Sequence, residues 1–184
     1  AKVSAVIATL NEEDKIKSCL ETIKWVDEIV VVDSYSEDRT VEIAENYGAK
    51  VIKEKSKGYM EPHRNTGIRE ASNEWILRID ADEMIPKPTS EKFQQLLDSP
   101  EYDAYRAPRK NFFLGRELKG GRSWPDYQLF LFRKDSVKLK DKSHGFYDLE
   151  TDANINDLPA SEENCVFHFT NTSFEDRIST MNSY

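Results

Sequence analysis

The sequence predicts an α/β protein with a mostly parallel central sheet that is covered by helices on both faces. Short apolar runs alternate with amphipathic segments through the first half of the chain. These runs are too continuous to be strands with one face in water, so both faces of the sheet are expected to be buried. Parallel strands need crossover connections, and the amphipathic segments between the runs are long enough to supply them as helices.

Four strands and three helices are predicted in the first half. The second run, Glu28–Asp33, is rich in β-branched residues, as in a buried strand. Asn11 precedes the first amphipathic segment and is predicted as its N-cap, and Gly48 follows the second as its C′ residue. The other predicted strands are Val3–Ala8, Ala49–Ile52 and Trp75–Ile79, and the predicted helices are Glu12–Ile23, Thr40–Tyr47 and Glu61–Ala71.

Composition indicates one domain. The chain has 184 residues, 38% of them hydrophobic, which is sufficient for a single core. A net charge of −8 argues against a nucleic-acid binder, whose affinity would depend on neutralising phosphates. Cys19 and Cys165 are too far apart for a disulfide framework or a zinc cluster, so they are predicted to be reduced thiols. With no visible signal peptide or spanning segment, we expect a cytoplasmic protein that at most rests on a membrane.

The most informative motif is the acidic segment Asp80 to Glu83, directly after the predicted fourth strand. Two carboxylates one residue apart at a strand end can hold a hard divalent cation, which neutralises a diphosphate. The motif alone is equally compatible with a capped turn and solvated side chains. Thr9, Asn11 and Asp33, however, also stand at predicted strand ends. Because open α/β sheets bind ligands at this edge, the set predicts a ligand site.

The turn after the first strand excludes the common phosphate-binding loops. The segment Thr9–Glu13 contains no glycine, whereas dinucleotide sites and P-loops need a Gly-rich turn there. Nicotinamide, flavin and P-loop chemistry are therefore not expected. A diphosphate would instead need a metal and side chains, for which Arg64 and Asn65, after the basic segment Lys55–Gly58, are candidates. The alternative for the lysines is a solvated basic loop.

Several ordered motifs together resemble a family 2 glycosyltransferase of the GT-A fold, closest to the bacterial lipopolysaccharide-core β-glucosyltransferase-like branch. They extend over most of the chain: Ala8–Glu13, Val31–Thr40, Arg64–Asn65, Trp75–Glu83, Gly115–Arg116, Trp124–Leu129 and Leu131–Arg133. The resemblance implies a Rossmann-like sheet in one domain, with a nucleotide-binding half at 1–84 and a smaller acceptor-binding half at 85–184. It also implies transfer from a nucleotide-sugar donor, UDP-sugar above all, to a glycan or lipid-linked acceptor, with Mn²⁺ or Mg²⁺.

The resemblance assigns roles to individual residues. Asp82 would bind the metal, and His168, after the apolar run 165–167, would complete the metal shell. Tyr35 stands at a position where the common family pattern has glycine. Asp33 would receive the base, and Asp80 would lie near the ribose and donor sugar. The full set of nucleotide-binding residues that the resemblance implies is Thr9, Asn11, Asp33, Arg64 and Asp80.

The second half is expected to hold the acceptor, after a predicted helix at Thr89–Leu97 and a predicted strand at Tyr102–Arg109. Inversion at an anomeric carbon needs a base opposite the leaving group. Asp126 is predicted as this base, since it follows a Gly-Gly turn and matches the position of the family's catalytic acid; a turn cap is the alternative. Basic residues concentrate between 106 and 134. They are interpreted either as a binding surface for anionic groups or as a solvated face. The acceptor or its phosphates would meet Arg122, Trp124 and His144.

Two other functions remain compatible with the sequence. A nucleotide- or glycan-binding module without turnover would keep the fold but would not need a base at Asp126. A sugar-nucleotide pyrophosphorylase would share the sheet, but it should carry a Gly-rich basic loop at Asn11–Glu13. Asp148–Asn164 is predicted to be a surface loop, and a predicted helix from Ser173 runs into Tyr184. We therefore expect the natural protein to continue, and its continuation could lie on the cytoplasmic face of the membrane.

Overall fold

The computed structural model describes residues 1–55, 61–119, 124–136 and 153–170. Several predicted features lie outside these residues: the acceptor residues Arg122 and His144, the Gly-Gly turn before Asp126, Lys57 and Gly58 of the basic loop, and the terminal helix from Ser173.

The first half of the chain forms four strands with three intervening helices, as predicted. Strand β1 pairs in parallel with β2 and β4, and β2 pairs in parallel with β3. The carboxyl ends of these strands therefore meet at one edge of the sheet, where the predicted ligand site lies. The strands are β1 (Val3–Thr9), β2 (Glu28–Asp33), β3 (Lys50–Lys53) and β4 (Trp75–Arg78), and the helices are α1 (Glu13–Thr22), α2 (Thr40–Asn46) and α3 (Glu61–Glu70).

The second half extends the same sheet. The order along it is β3-β2-β1-β4-β8-β6-β10-β5, and both β7 and β9 pair with β6. Strand β8 is antiparallel to β4 and β6, so its first residue, Asp126, lies at the edge where β4 and β6 end. The elements are β5 (Glu83–Met84), α4 (Lys87–Asp98), β6 (Ala104–Phe113), β7 (Arg116–Glu117), β8 (Asp126–Arg133), β9 (Ile155–Asp157) and β10 (Val166–Thr170).

Two hydrophobic cores lie on opposite faces of the sheet. Alternate residues of β1 enter different cores: Ala5 and Ile7 pack with residues of α1, α2 and α4, whereas Val6 packs with residues of α3. Successive side chains of a strand point to opposite faces, so a strand buried on both sides is apolar throughout. This explains the continuous apolar runs and confirms the predicted α/β class with helices on both faces.

The predicted N-cap role of Asn11 is wrong. The N-cap residue of α1 is Glu12, and no side chain caps the helix from that position. Asn11 has a φ of 53°, and its side-chain oxygen accepts a hydrogen bond from the backbone N–H of Glu37 at 2.9 Å. The positive φ turns the Asn11 side chain towards the loop after β2, so it binds that loop instead of the first turn of α1.

The prediction of a surface loop throughout Asp148–Asn164 is also wrong. Strand β9 pairs in parallel with β6 from Ala104 to Arg106, and Arg106 forms an ion pair with Asp157 at 2.6 Å. A three-residue strand with the sequence Ile-Asn-Asp has too few residues to show a hydrophobic period, and its position is set by the partner strand.

Two further features of the fold concern the cysteines and the helices. Cys19 and Cys165 are both buried and free, as predicted. Within the part of the chain that the structure describes, none of the helices has the length and apolar character that crossing a bilayer requires.

Gly67 allows α3 to lie directly against β1 and β2, which predicts the effect of a side chain there. A Cβ at this position would lie 2.4 Å from Val6 Cγ1 and 3.2 Å from Val32 Cγ2. We expect Gly67→Ala to lower the free energy of unfolding by about 1–3 kcal/mol through overpacking, measured by urea denaturation. With Val6→Ala added, the total loss should be smaller than the sum of the two single losses, because Val6 is the side chain that the new Cβ would meet. Strictly additive effects of the two substitutions would contradict the close contact.

Candidate functional site

The carboxyl ends of β1 and β2 are joined by a buried hydrogen-bond cluster. Thr9 Oγ1 donates to Asp33 Oδ1 at 3.2 Å, and both residues are fully buried. The backbone N–H of Ser36 donates to Asp33 Oδ2 at 2.9 Å, and its hydroxyl donates to Asp33 Oδ1. The Ser36 hydroxyl oxygen also accepts from the N–H of Asn11 at 2.8 Å. Asp33 therefore shapes this loop from inside, while Asn11 and the 51% exposed Tyr35 form its outer surface.

Asp80 is held by an arginine from α3. Arg64 Nη2 lies 2.7 Å from Asp80 Oδ1 and 2.8 Å from Oδ2, and Nε lies 3.2 Å from Oδ1. Burial opposes ionisation of Asp80, but Arg64, with Arg78 and Arg109 nearby, holds the pKa of this carboxyl well below its usual range. Arg64 and Asp80, both predicted as nucleotide-binding residues, thus form a two-pronged ion pair.

Glu83 is a fully buried carboxylate that joins this ion pair to the far side of the site. Its Oε2 accepts the backbone N–H of Asp80 at 3.0 Å, and its Oε1 lies 3.0 Å from Arg109 Nη1. Burial, and the negative charge of Asp80, raise the pKa of Glu83, while Arg78 and Arg109 oppose the shift. Arg78 is also buried, and its Nε donates to the carbonyl of Leu129 at 3.0 Å.

The predicted base, Asp126, is fixed by three neighbouring side chains. Its Oδ2 lies 2.8 Å from Arg109 Nη2 and 3.2 Å from Asn111 Nδ2, and its Oδ1 accepts from Gln128 Nε2 at 2.7 Å. Burial opposes ionisation, but the Arg109 charge and these hydrogen bonds lower the pKa of Asp126 from its ordinary value. Its side chain is 22% exposed, so the site contains an ionised, oriented and accessible carboxylate.

The structure brings together the two predicted metal ligands. Strand β10 pairs with β5, and the N–H of Phe169 donates to the carbonyl of Asp82 at 2.9 Å. Asp82 Oδ2 therefore lies 3.3 Å from His168 Nε2, with both side chains partly exposed. His168 Nδ1 lies 2.7 Å from Asn111 Oδ1.

These residues fit a divalent cation that also binds substrate oxygens. One carboxylate and one imidazole nitrogen, the latter oriented by a hydrogen bond at its other nitrogen, are an ordinary partial ligand set. Within residues 1–55, 61–119, 124–136 and 153–170, no three His, Cys, Asp or Glu side chains are grouped as a complete cation site. A cation bound by Asp82 and His168 would thus need further ligands, which diphosphate oxygens and water can supply.

Trp124 and His63 lie apart from this cluster. The Trp124 ring lies 5.5 Å from Lys110 Nζ, and Lys110 alternates along β6 with Arg109 and Asn111, so its side chain leaves the opposite face of the strand. The acceptor role of Trp124 stays a prediction. His63 is buried, with Nε2 2.9 Å from the carbonyl oxygen of Glu54, as is typical of a structural histidine.

Sequence reasoning missed three residues that organise the site. Arg109 was counted only as part of a basic stretch, and Asn111 and Gln128 were given no role. A signal was present: Arg109 and Asn111 are polar residues two positions apart near the end of a predicted strand, which places them on one face. Their partners could not be identified, because they come from β5, β8 and β10, and strand register is not visible in the sequence.

Two curated proteins are similar to this chain over much of its length. An uncharacterized glycosyltransferase of Rickettsia bellii is 29% identical over 191 aligned residues, which cover 100% of this chain and 65% of the relative. The lipopolysaccharide core biosynthesis glycosyltransferase LpsC of Rhizobium meliloti is 32% identical over 119 residues, which cover 61% of this chain and 44% of LpsC. The chain thus spans less than two-thirds of the length of either relative.

Solved structures share the fold. S. aureus TarS in complex with UDP-GlcNAc has a TM-score of 0.69 at 20% identity, covering 96% of this chain and 61% of TarS. The mannosyltransferase PcManGT from Pyrobaculum calidifontis, in complex with GDP-Man and Mn²⁺, has a TM-score of 0.50 at 25% identity, covering 59% of this chain and 36% of PcManGT. The predicted GT-A fold is therefore confirmed.

The family model described as glycosyl transferase family 2 matches residues 4–149, which include the strand-end cluster, the acidic motif and Asp126. Because this match covers most of the chain, the chain belongs to glycosyl transferase family 2, the family that its motifs resemble.

Proposed function

We propose that this chain is the catalytic domain of an inverting, metal-dependent glycosyltransferase. It moves a sugar from a nucleoside-diphosphate sugar, most simply a UDP-sugar, to a hydroxyl of a glycan or lipid-linked acceptor. The observation that carries this proposal is the connection of an oriented carboxylate at Asp126 to the Asp82–His168 pair through the side chain of Asn111. A binding module would not need a carboxylate so constrained, and the Gly-rich loop of a pyrophosphorylase is absent from Thr9–Glu13.

The donor would bind along the edge formed by β1, β2 and β4, in the half spanning residues 1–84. The base would lie against the loop surface above Thr9 and Asp33, bounded by Asn11 and Tyr35. The diphosphate and ribose would lie near Asp80 and Arg64. Complexes of TarS with UDP-GlcNAc and of PcManGT with GDP-Man support a nucleotide-sugar donor for this fold, and we favour UDP because of the motif resemblance.

Asp82 and His168 would hold a Mn²⁺ or Mg²⁺ ion. When bound, the ion supplies positive charge that stabilises the departing diphosphate. The neighbouring carboxylates Asp80 and Glu83 are already paired with Arg64 and Arg109. Asp82 is the carboxylate of the motif that faces the imidazole of His168, so it is the one that we assign to the cation.

Asp126 would act as the base. As the acceptor oxygen forms its bond to the anomeric carbon, the bond from that carbon to the diphosphate oxygen breaks, and the diphosphate leaves with the electron pair. The acceptor proton passes to a carboxylate oxygen of Asp126. A carboxylate with a lowered pKa can do this, because the hydroxyl becomes strongly acidic only as the new bond forms.

The acceptor would bind to the half spanning residues 85–184. The name of one relative supports a chemical class for it. LpsC is named for lipopolysaccharide core biosynthesis, which supports a cell-envelope glycan or its lipid-linked precursor as acceptor. The proposed location is the cytoplasm, at the cytoplasmic face of the membrane, where nucleotide sugars and such precursors meet.

Removing the Asp82 carboxylate tests the metal site. A panel of nucleotide sugars with Mn²⁺ should raise the melting temperature of the wild-type protein for UDP-sugars, since a ligand that binds only the folded state stabilises it. EDTA should abolish the shift, and Asp82→Ala should show none with either Mn²⁺ or EDTA. Asp157→Ala, on the exposed ion pair with Arg106, is the control and should respond like wild type. Equal shifts for Asp82→Ala and wild type would refute the metal assignment.

Asp126→Asn tests the base. The amide keeps the size of the side chain but is a far weaker proton acceptor, so kcat for sugar transfer should fall by about 10²–10⁴-fold. The dissociation constant of the nucleotide sugar, measured by calorimetry, should stay close to the wild-type value, because Asp126 is not placed on the donor. Transfer at the wild-type rate with unchanged donor binding would show that another group takes the proton.

The pH dependence of transfer has a definite sign. A base with a lowered pKa is ionised above that value, so activity should persist as the pH falls and be lost only below the ordinary Asp value of about 3.9, as far as the fold survives. Gln128→Leu removes a hydrogen bond that lowers the pKa of Asp126, so it should move the acid limb of the kcat profile to higher pH. A rate that rises on acidification would mean that Asp126 works in its protonated form.

A further inference from the structure

We propose that Asn111 is a positioning residue that fixes the tautomer and the orientation of His168, so that Nε2 is the nitrogen offered to a divalent cation. The same amide connects this metal corner to the carboxylate of Asp126. The inference rests on the proposed function, because only there do Asp82 and His168 act as cation ligands.

Strand register places Asn111 between the two halves of the site. In the parallel pair of β6 and β10, Asn111 lies opposite His168, and in the antiparallel pair of β6 and β8, Arg109 lies opposite Asp126. Residues 109 and 111 are two positions apart and face the same side of the sheet. Asn111 can therefore contact side chains on both neighbouring strands.

The orientation of the Asn111 amide follows from its two partners. The group facing Asp126 Oδ2, at 3.2 Å, must be the NH₂ group, because an ionised carboxylate only accepts hydrogen bonds. The Asn111 carbonyl oxygen is then left to face His168 Nδ1, at 2.7 Å. A carbonyl oxygen also only accepts, so Nδ1 of His168 must carry the hydrogen.

This assignment determines what His168 presents to Asp82. A neutral imidazole carries one ring hydrogen, and with that hydrogen on Nδ1 the other nitrogen, Nε2, has a free lone pair. In this neutral form, Nε2 and Asp82 Oδ2, which lie 3.3 Å apart, are two electron-pair donors that face each other. Neither atom carries a hydrogen, so the two cannot form a hydrogen bond with each other. Both can instead bind the same cation.

Without Asn111, the favoured tautomer should change. The nearest acceptor for the ring would then be Asp82, and a hydrogen on Nε2 could donate to Asp82 Oδ2. That hydrogen bond would occupy both proposed ligand atoms, and it would have to break before a cation could bind. Asn111 thus keeps the two ligand atoms available, in the way that partners of the ligands tune other metal sites.

Asn111→Leu, which keeps the approximate size and removes both polar groups, tests the proposal. In metal-free protein at alkaline pH, nitrogen-15 NMR of the ring should show the hydrogen on Nδ1 in wild type and largely on Nε2 in Asn111→Leu. With saturating UDP, the dissociation constant for Mn²⁺, measured by calorimetry, should rise by about 10–100-fold. Melting curves without ligand check that each variant is folded.

Two variants separate positioning from general damage. Asn111→Asp keeps an oxygen that accepts from Nδ1, so it should retain the wild-type tautomer, but its second oxygen would face the Asp126 carboxylate, so the Mn²⁺ affinity should recover only in part. Gln128→Leu is the matched control, because it removes an amide bonded to Asp126 but not to His168, and its Mn²⁺ affinity and tautomer should match wild type. Should Asn111→Leu fail to fold, Asn111→Ala removes the acceptor with a smaller apolar side chain and still tests whether an acceptor at this position sets the tautomer.

A double-mutant cycle completes the test. In a His168→Ala background, Asn111→Leu should cause no further loss of Mn²⁺ affinity, since Asn111 acts through His168. If His168→Ala weakens Mn²⁺ binding while Asn111→Leu changes neither affinity nor tautomer, the role of Asn111 is refuted and the proposed metal site stands. If His168→Ala leaves Mn²⁺ affinity unchanged, the metal site itself is refuted, and the inference falls with it.

Discussion

The ion pairs of Arg109 with Glu83 and Asp126 are the interactions on which the rest of the site depends. Glu83 is fully buried, and a buried carboxylate is tolerated only when a cation and hydrogen bonds compensate its lost hydration. Arg109 lies on β6, Glu83 on β5 and Asp126 on β8, so one guanidinium joins three strands. The relative positions of the acidic motif and the proposed base are therefore coupled through a single side chain.

This arrangement separates the acids into two groups. Asp80, Glu83 and Asp126 are each paired with an arginine inside the protein, Arg64 for Asp80 and a shared Arg109 for the other two. Asp82 instead faces His168, whose other nitrogen is bound by Asn111. The cation that we propose is therefore assigned to the Asp82 corner and not to the other carboxylates. Arg109, anchored by the buried Glu83, holds Asp126, the proposed base, in a fixed orientation.

How much of the site could be predicted depended on whether a residue's partner is local or distant in sequence. Thr9, Asp33 and Asp80 were placed at one edge because parallel strands align their carboxyl ends, a consequence of the βαβ pattern itself. Asn11 was wrongly predicted as a helix cap. Its side-chain oxygen accepts a hydrogen bond from the N–H of Glu37 instead, and Glu37 lies in another loop. Strand β9 was missed because its position is dictated by pairing with β6 and not by its own residues.

The sequence by itself determined the class of the fold, the family and the residue types at the sheet edge, because hydrophobic periodicity and short motifs are local properties. Only the tertiary structure decided which charges meet: that Arg64 binds Asp80, that Arg109 bridges Glu83 and Asp126, and that Asn111 contacts both His168 and Asp126. These contacts depend on the register of β6 with β8 and β10. A shift of one residue would turn every side chain of a strand to the other face, and no local pattern encodes that choice.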